Sequence, residues 1–299
     1  MRRPTLRHRL EHLGYHLGLS VLHLLPEELA LRLGEGMGWV AGVVLGIRRK
    51  TVRAHLRQAF PHESEAWRRR VARASFRHLG REALATFLLG RLSREEILER
   101  IEIPGFEALQ EAMEAGAGAV LITAHFGNWE VAGAGLAARG LPLDVVAQRQ
   151  RNPLFDADLT ETRTRQGMSV ILRGDAPKQV LKSLRRGRAV AIVWDQNVRR
   201  GGIFVEFFGK KASTARGPAI FPLRTGSPVF QGVNRRLEGY PSRYRLEVVP
   251  VDFTPTGDLE ADVFRLTEVY TRFLEKEIVR TPEQYFWQHR RWKTRPPDE

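Results

Sequence analysis

Beyond Gly116 the chain alternates short, β-rich apolar runs with longer helix-compatible stretches, and this alternation constrains the fold more than any other feature. The runs fall at 119–124, 143–147, 168–172, 189–194, 229–233 and 244–251, with helical stretches at about 128–139, 153–166 and 176–186 between the early ones. Near-continuous apolar strands separated by helices read as βαβ units. The expected class is therefore α/β: a mixed, mostly parallel central sheet covered by helices. A long amphipathic helix is expected at 258–280. Before Gly116 the pattern from 51 to about 100 is helical, with Ser93-Arg94-Glu95-Glu96 resembling a capping box. Pro104-Gly105 marks a turn into another helix at 106–114.

The first apolar run ends in His125, followed by Phe126-Gly127-Asn128-Trp129-Glu130. Asn128 is a good helix N-cap, so His125 sits in the turn and Glu130 in the first helical turn. The carboxyl ends of strands are where open α/β sheets gather reactive groups. On one helix, five positions would put His125 and Glu130 roughly 140° apart. With the histidine in a preceding loop, the chain can fold back and let the carboxylate reach the imidazole. Such a pair would be the base and orienter of a triad, the carboxylate fixing the tautomer while the other ring nitrogen takes a proton from a hydroxyl. The alternative is a structural histidine beside a helix-start glutamate that favours the helix dipole.

Composition narrows the partners. Forty-eight Lys and Arg against 34 Asp and Glu give a net charge of +14, which suits nucleic acid, anionic lipid or a phosphorylated partner. The absence of cysteine excludes disulfides, thiolate chemistry and cysteine metal sites. The sequence has no P-loop, G-x-G-x-x-G, G-x-S-x-G or H-E-x-x-H motif, and His125 with Glu130 alone makes no credible metal site. No cleavable signal peptide is expected, and no stretch reaches the roughly twenty apolar residues of a spanning helix. Residues 13–25 and 36–47 are nevertheless apolar and flanked by cations, ending at Arg48-Arg49-Lys50. They read as an interfacial element, or else as a buried helical hairpin. The expected organisation is an N-terminal membrane-associating helical segment, 1–50, and an α/β domain, 51–299, whose residues 51–115 form a helical lead-in.

Three further places hold candidate site groups. Arg149 and Arg151 follow the second strand, and Arg163 and Arg165 lie on the next helix; an arginine near a strand end can clamp a phosphate or polarise an oxyanion. Asp195 leaves the run at 189–194 with Gln196 and Asn197 beside it, as a site residue or a turn former. Arg199-Arg200-Gly201-Gly202 reads as a loop on the active-site side. The tail, 285–293, interleaves aromatic and basic side chains. It could stack bases, sit among lipid headgroups, or dock the C-terminus onto the core.

His125-Phe126-Gly127-Asn128-Trp129-Glu130 resembles the H-x4-[DE] block of glycerolipid-type acyltransferases, in the form found in the bacterial lipid A biosynthesis acyltransferase family. The resemblance continues through Arg163 and Gly167, Trp194-Asp195-Gln196, the stretches 204–209 and 212–214, and the tail from Pro282 to Pro296. It implies transfer of a fatty acyl chain from an acyl thioester, on acyl-carrier protein or coenzyme A, to a hydroxyl of a membrane glycolipid like a lipid A precursor. His125 would be the general base and Glu130 its partner. Asn128, Arg149, Arg163 and Asp195 would bind substrate, with backbone N–H groups around Gly127 and Asn128, or Arg163, facing the oxyanion. No metal or other cofactor is implied, because the thioester is already activated. The implied partners are the glycolipid, the acyl carrier and an anionic membrane surface, not nucleic acid, and the implied place is the cytoplasmic face of the inner membrane. Ala147-Gln148-Arg149-Gln150 departs from the family's usual Tyr-Arg-Pro at its second block, which leaves a mannoside, another glycolipid or a lysophospholipid as alternative acceptors. A non-enzymatic binder of anionic lipid or nucleic acid is the other alternative.

Overall fold

The computed structural model describes residues 4–297. Helices α1 (Leu6–Leu24) and α2 (Glu27–Trp39) open the chain, and a π-helical turn, Val40–Val44, extends α2. Then come α3 (Arg49–Ala59), α4 (Glu65–Leu89), α5 (Arg94–Arg100), a two-residue strand β1 (Ile101–Glu102) and α6 (Phe106–Ala112). Ser93 and Glu96 form the capping box expected at the start of α5. The α/β part follows as β2 (Ala119–Thr123), α7 (Trp129–Ala138), β3 (Leu143–Ala147), α8 (Pro153–Arg165), β4 (Ser169–Leu172), α9 (Ala176–Leu184) and β5 (Ala189–Val193). A hairpin of β6 (Ile203–Phe207) and β7 (Lys210–Thr214) leads to α10 (Gly217–Thr225), β8 (Val229–Gln231), β9 (Asn234–Arg236), β10 (Tyr244–Leu246) and β11 (Val249–Pro250). Helix α11 (Leu259–Arg280) precedes a short 3-10 turn and the tail.

The main sheet has six strands in the order β11-β8-β2-β5-β3-β4. β2 pairs in parallel with β5 and β8, and β3 in parallel with β4 and β5, while β11 runs antiparallel to β8 at the edge. Successive side chains of β2 point to opposite faces. Val120 and Ile122 enter one core cluster with Trp194, Tyr270 and Trp287, whereas Ala119 and Leu121 enter the other with Phe106, Leu136 and Leu143. The central strands are thus buried on both faces, which is why their sequences are apolar throughout rather than alternating.

Two local expectations differ from the structure. The run at 244–251 is two strands: Tyr244–Leu246 pairs with β1 and β9 in a small three-stranded sheet, and Val249–Pro250 joins the edge of the main one. Between them the Val248 N–H donates to the Pro104 carbonyl at 2.9 Å, and Pro250, lacking an N–H, is suited to an edge. The β6–β7 hairpin lies outside the runs read as strands. It turns on Phe208 and Gly209, both at positive φ, and a phenylalanine there carries no turn signal. It is held instead from outside, by Gln58 donating to the Phe208 carbonyl and Glu275 accepting from its N–H.

Helix α2 meets α4 at backbone contact through Gly34, Gly38 and Gly80. A Cβ on Gly38 would lie 2.0 Å from the Phe76 carbonyl oxygen, and one on Gly80 2.1 Å from that of Gly34. With its small face turned inward, α2 exposes Leu29, Leu33 and Met37, and α1 exposes Leu6, Leu10, Leu13, Leu17, Val21 and Leu24. The spacing of the α1 set is that of one helical stripe. No single helix among the described residues is long and apolar enough to cross a membrane. The pair Glu27–Val44 and Arg49–Ala59, bent by 88°, passes that test jointly.

Candidate active site

The site follows from strand register. Thr123 on β2 lies opposite Val193 on β5 in a parallel pair, so the residues two positions further on leave the sheet side by side. Those residues are His125 and Asp195. The Asp195 Oδ1 accepts from the His125 backbone N–H at 3.0 Å and lies 2.7 Å from Nδ1 of the imidazole. With an anionic oxygen on Nδ1, the proton belongs on that nitrogen and Nε2 is left bare. The amide nitrogen of Gln196 sits 3.1 Å from Nε2 and donates to it. Trp129 and Phe286 flank the ring at centroid distances of 4.7 and 5.9 Å.

Asp195 is buried. Burial works to raise its pKa, but the His125 charge and hydrogen bonds, with Arg291 beyond, hold the carboxyl below its ordinary value. Arg291 is itself buried, donating to the Ser213 carbonyl and Thr214 Oγ1 beneath the rings of Trp194 and Phe207. Burial and the neighbouring Asp195 charge keep the Tyr285 phenol firmly protonated. The aromatic-basic tail therefore docks into the core and backs the aspartate. Two backbone links fix it to the turn that carries His125: the Gly127 N–H donates to Gln284 O at 2.9 Å, and the Phe286 N–H to His125 O at 3.0 Å. Gly127 has φ of +55°, and a Cβ there would lie 1.7 Å from the Asn234 carbonyl oxygen, so only glycine fits.

Glu130 is placed differently from the sequence expectation. Its carboxylate takes a bidentate pair from Arg163, Nε at 2.9 Å and Nη2 at 2.5 Å, which ties the first turn of α7 to α8. Among the described residues no hydrogen bond or ion pair joins Glu130 to His125, and Asp195 occupies the Nδ1 position that the short spacing suggested for the glutamate. Asn128 is buried and caps α7 by accepting from the Val131 N–H. Its amide donates to Glu82, whose buried carboxyl also accepts from the Tyr244 hydroxyl at 2.8 Å. The Gly127 N–H, a candidate oxyanion donor in the sequence, is occupied by Gln284. Arg149 and Arg163 both line the cavity, Arg149 exposed and Arg163 half-buried. Gln196 and the Tyr285–Phe286 segment were named in the sequence only as neighbours or tail; nothing in their spacing points to His125.

His125 opens onto a cavity of about 940 Å³ between the sheet and α7. One wall is polar, with Gln196, Arg149, Arg163 and Arg200, and the depth is apolar, with Leu136, Val145, Met168 and Phe230. A second cavity, about 670 Å³, adjoins it across Leu79, Ala83, Asn197, Phe286 and Gln288. That one is lined by Arg48, Arg199, Arg290 and Lys293, together with Met37 of α2 and Ala41 of the π-helical turn. A bare imidazole nitrogen in a cavity with apolar depth, adjoining a second cavity lined by cations, is equipped to deprotonate a hydroxyl on an amphipathic anionic molecule.

The model of the bacterial lipid A biosynthesis acyltransferases matches residues 3–294. The lipid A biosynthesis palmitoleoyltransferase of Escherichia coli (strain K12) is 29% identical over 94% of this chain and 92% of its own length. The lipid A biosynthesis lauroyltransferase of the same organism is 30% identical over 94% of this chain and 91% of its own. A phosphatidylinositol mannoside acyltransferase of Mycolicibacterium smegmatis is 29% identical over 83% of this chain and 82% of its own. Matching from the first helix to the tail that backs Asp195, the chain belongs to the bacterial lipid A biosynthesis acyltransferase family and is an O-acyltransferase.

Proposed function

We propose that this enzyme transfers a fatty acyl chain from an acyl thioester, on acyl-carrier protein or coenzyme A, to a hydroxyl of a phosphorylated membrane glycolipid like a lipid A precursor. The observation that carries this reading is His125, with Asp195 on Nδ1, lining a largely apolar cavity that adjoins a second, cationic one. The acceptor hydroxyl displaces Gln196 from Nε2 and gives up its proton there as its oxygen attacks the thioester carbonyl. The imidazolium so formed is stabilised by Asp195. Gln196 and the free N–H groups of Arg163 face the oxyanion of the tetrahedral intermediate. When the C–S bond breaks, the proton on Nε2 passes to the departing thiolate. Glu130 acts at one remove, fixing Arg163.

The apolar cavity takes the acyl chain, and Arg48, Arg199, Arg290 and Lys293 take the phosphorylated headgroup. The exposed leucine stripe of α1 and the outer face of α2, beside a body of net charge +14, suit a protein lying on the anionic cytoplasmic face of the inner membrane. A mannoside acceptor is the second reading, favoured by the resemblance to phosphatidylinositol mannoside acyltransferases and by the departure at Gln148. The test incubates the purified enzyme and membranes with labelled acyl-carrier protein or acyl-CoA and identifies the acylated lipid by mass spectrometry. His125→Ala should lose acyl transfer by about 10³-fold or more while still sedimenting with anionic vesicles. Failure of the wild type to label any lipid from either donor sinks the proposal.

A further inference from the structure

Helix α1 carries a cluster that acyl transfer does not use. His12 and His16, one helical turn apart, face Asp158 on α8, and three ligand-type atoms converge: His12 Nε2 is 2.8 Å from Asp158 Oδ2, His16 Nε2 is 2.9 Å from the same oxygen, and the two nitrogens are 3.0 Å apart. Proton counting exposes a conflict. If both Nε2 atoms carry protons, two N–H groups converge on one oxygen with their nitrogens only 3.0 Å apart. If either is bare, its lone pair faces an anionic oxygen at hydrogen-bond distance. A divalent cation at the centre removes both conflicts, because two neutral imidazole nitrogens and a carboxylate oxygen are then all donors to it.

From these distances we infer a divalent transition-metal site, of the zinc class, formed by His12, His16 and Asp158. With bonds of about 2.1 Å, three ligands lie about 3.0 Å apart on one face of an octahedron and about 3.4 Å apart in a tetrahedron. The observed triangle therefore suits the first and needs a few tenths of an ångström for the second. Two imidazoles and one carboxylate favour Zn²⁺, Co²⁺ or Ni²⁺ over Mg²⁺ and Ca²⁺, which want oxygen ligands. The site also has a supporting shell: Asn152, which caps α8, donates to the His8 carbonyl and to Glu11 and so holds the two helices in place.

The location gives the ion a structural task. Of α1 only Leu22 is buried, so little apolar packing holds the helix down. Between the two histidines in sequence, Tyr15 meets Phe155 of α8 edge-on at 5.0 Å and Phe87 edge-on at 5.5 Å, and both phenyl rings line the larger cavity. An ion at His12, His16 and Asp158 clamps α1 onto α8, beside two rings that line that cavity, and none of the three ligands is among the cavity's lining residues. It does not depend on what the cavity binds.

The test strips the full-length protein with chelator and titrates it with Zn²⁺ by calorimetry and with Co²⁺ by visible absorption. The wild type should take one equivalent of either ion with a rise in Tm, and should ignore Mg²⁺. His12→Gln, His16→Gln and Asp158→Asn should each weaken binding by at least about a hundredfold, while His23→Gln, on the same helix outside the cluster, leaves it unchanged. Absence of a one-equivalent isotherm in the wild type overturns the inference whatever the variants do, and so does undiminished binding in a folded His12→Gln/His16→Gln protein. A protease protection assay separates the clamp from the ion. If metal binds but the rate of cleavage around Leu25 does not change, the site stands and its clamping of α1 is overturned.

Discussion

Two carboxylates stand near the turn that carries His125, and the chain treats them in opposite ways. Glu130 is five residues from His125 in sequence and bonds a guanidinium on another helix, whereas Asp195 is seventy residues away and bonds the imidazole directly. The difference teaches that parallel register outranks sequence proximity. Adjacent strands of equal length release equivalent residues at the same edge, while the helix after Gly127 points its first turn away toward α8. Asp195 places its charge beside the imidazole, and Glu130 places its charge on Arg163.

The sharpest way to break this comparison is to neutralise each carboxylate without changing its shape. Asp195→Asn should lower kcat by about 10²–10⁴-fold, since the amide can favour the wrong tautomer and cannot stabilise imidazolium. Equal losses from Asp195→Asn and Glu130→Gln in single-turnover acyl transfer would remove the distinction. Glu130→Gln should cost about ten- to a hundredfold, through displacement of Arg163. A double-mutant cycle with Arg163→Gln should give a coupling of about 1–3 kcal/mol, and the absence of coupling would show that the two act separately.

Acid sharpens the contrast between the site and its scaffold, with the smallest expected effect. Burial depresses His55 to about 4 and His78 to about 3, below their ordinary 6.5. Between those values the unfolded chain binds more protons than the folded one, so stability is lost as pH falls from about 6.5 toward 4. Each histidine should contribute on the order of 1 kcal/mol of that loss by pH 5.5. Asp195, held below 3.8, keeps its charge throughout this window and loses its contribution only at still lower pH. Calorimetry from pH 7 to 5 should show a falling Tm, and a flatter fall in His55→Gln; an unchanged slope in that variant removes the assignment.

Much of the α/β core was legible because its strands are apolar from end to end and punctuated by Gly, Asn and Pro. Asn128 as N-cap and α7 from Trp129 to Ala138 follow from local chemistry alone. His125 and Asp195 were each visible as polar groups leaving buried strands. Their contact was not, because it depends on β5 inserting between β2 and β3, and strand order is not written in periodicity. The tail shows the same limit from another side. Its alternating aromatic and basic residues resemble a surface for lipid or bases, yet Trp287 and Arg291 are among the most deeply buried side chains. A buried arginine is tolerable only with its partners in place, and those partners come from the β6–β7 hairpin, which its own sequence concealed.

The links from Gln284 and Phe286 to the turn that carries His125 also have a consequence in time. A ribosome produces His125 and Asp195 long before it produces the segment that fixes their loop and closes around the aspartate. Until that segment arrives, the sheet can form but its reactive corner lacks a wall. The corner around His125 is therefore complete only once residues 284–286 have been made, and the order of synthesis sets when the proposed site can form.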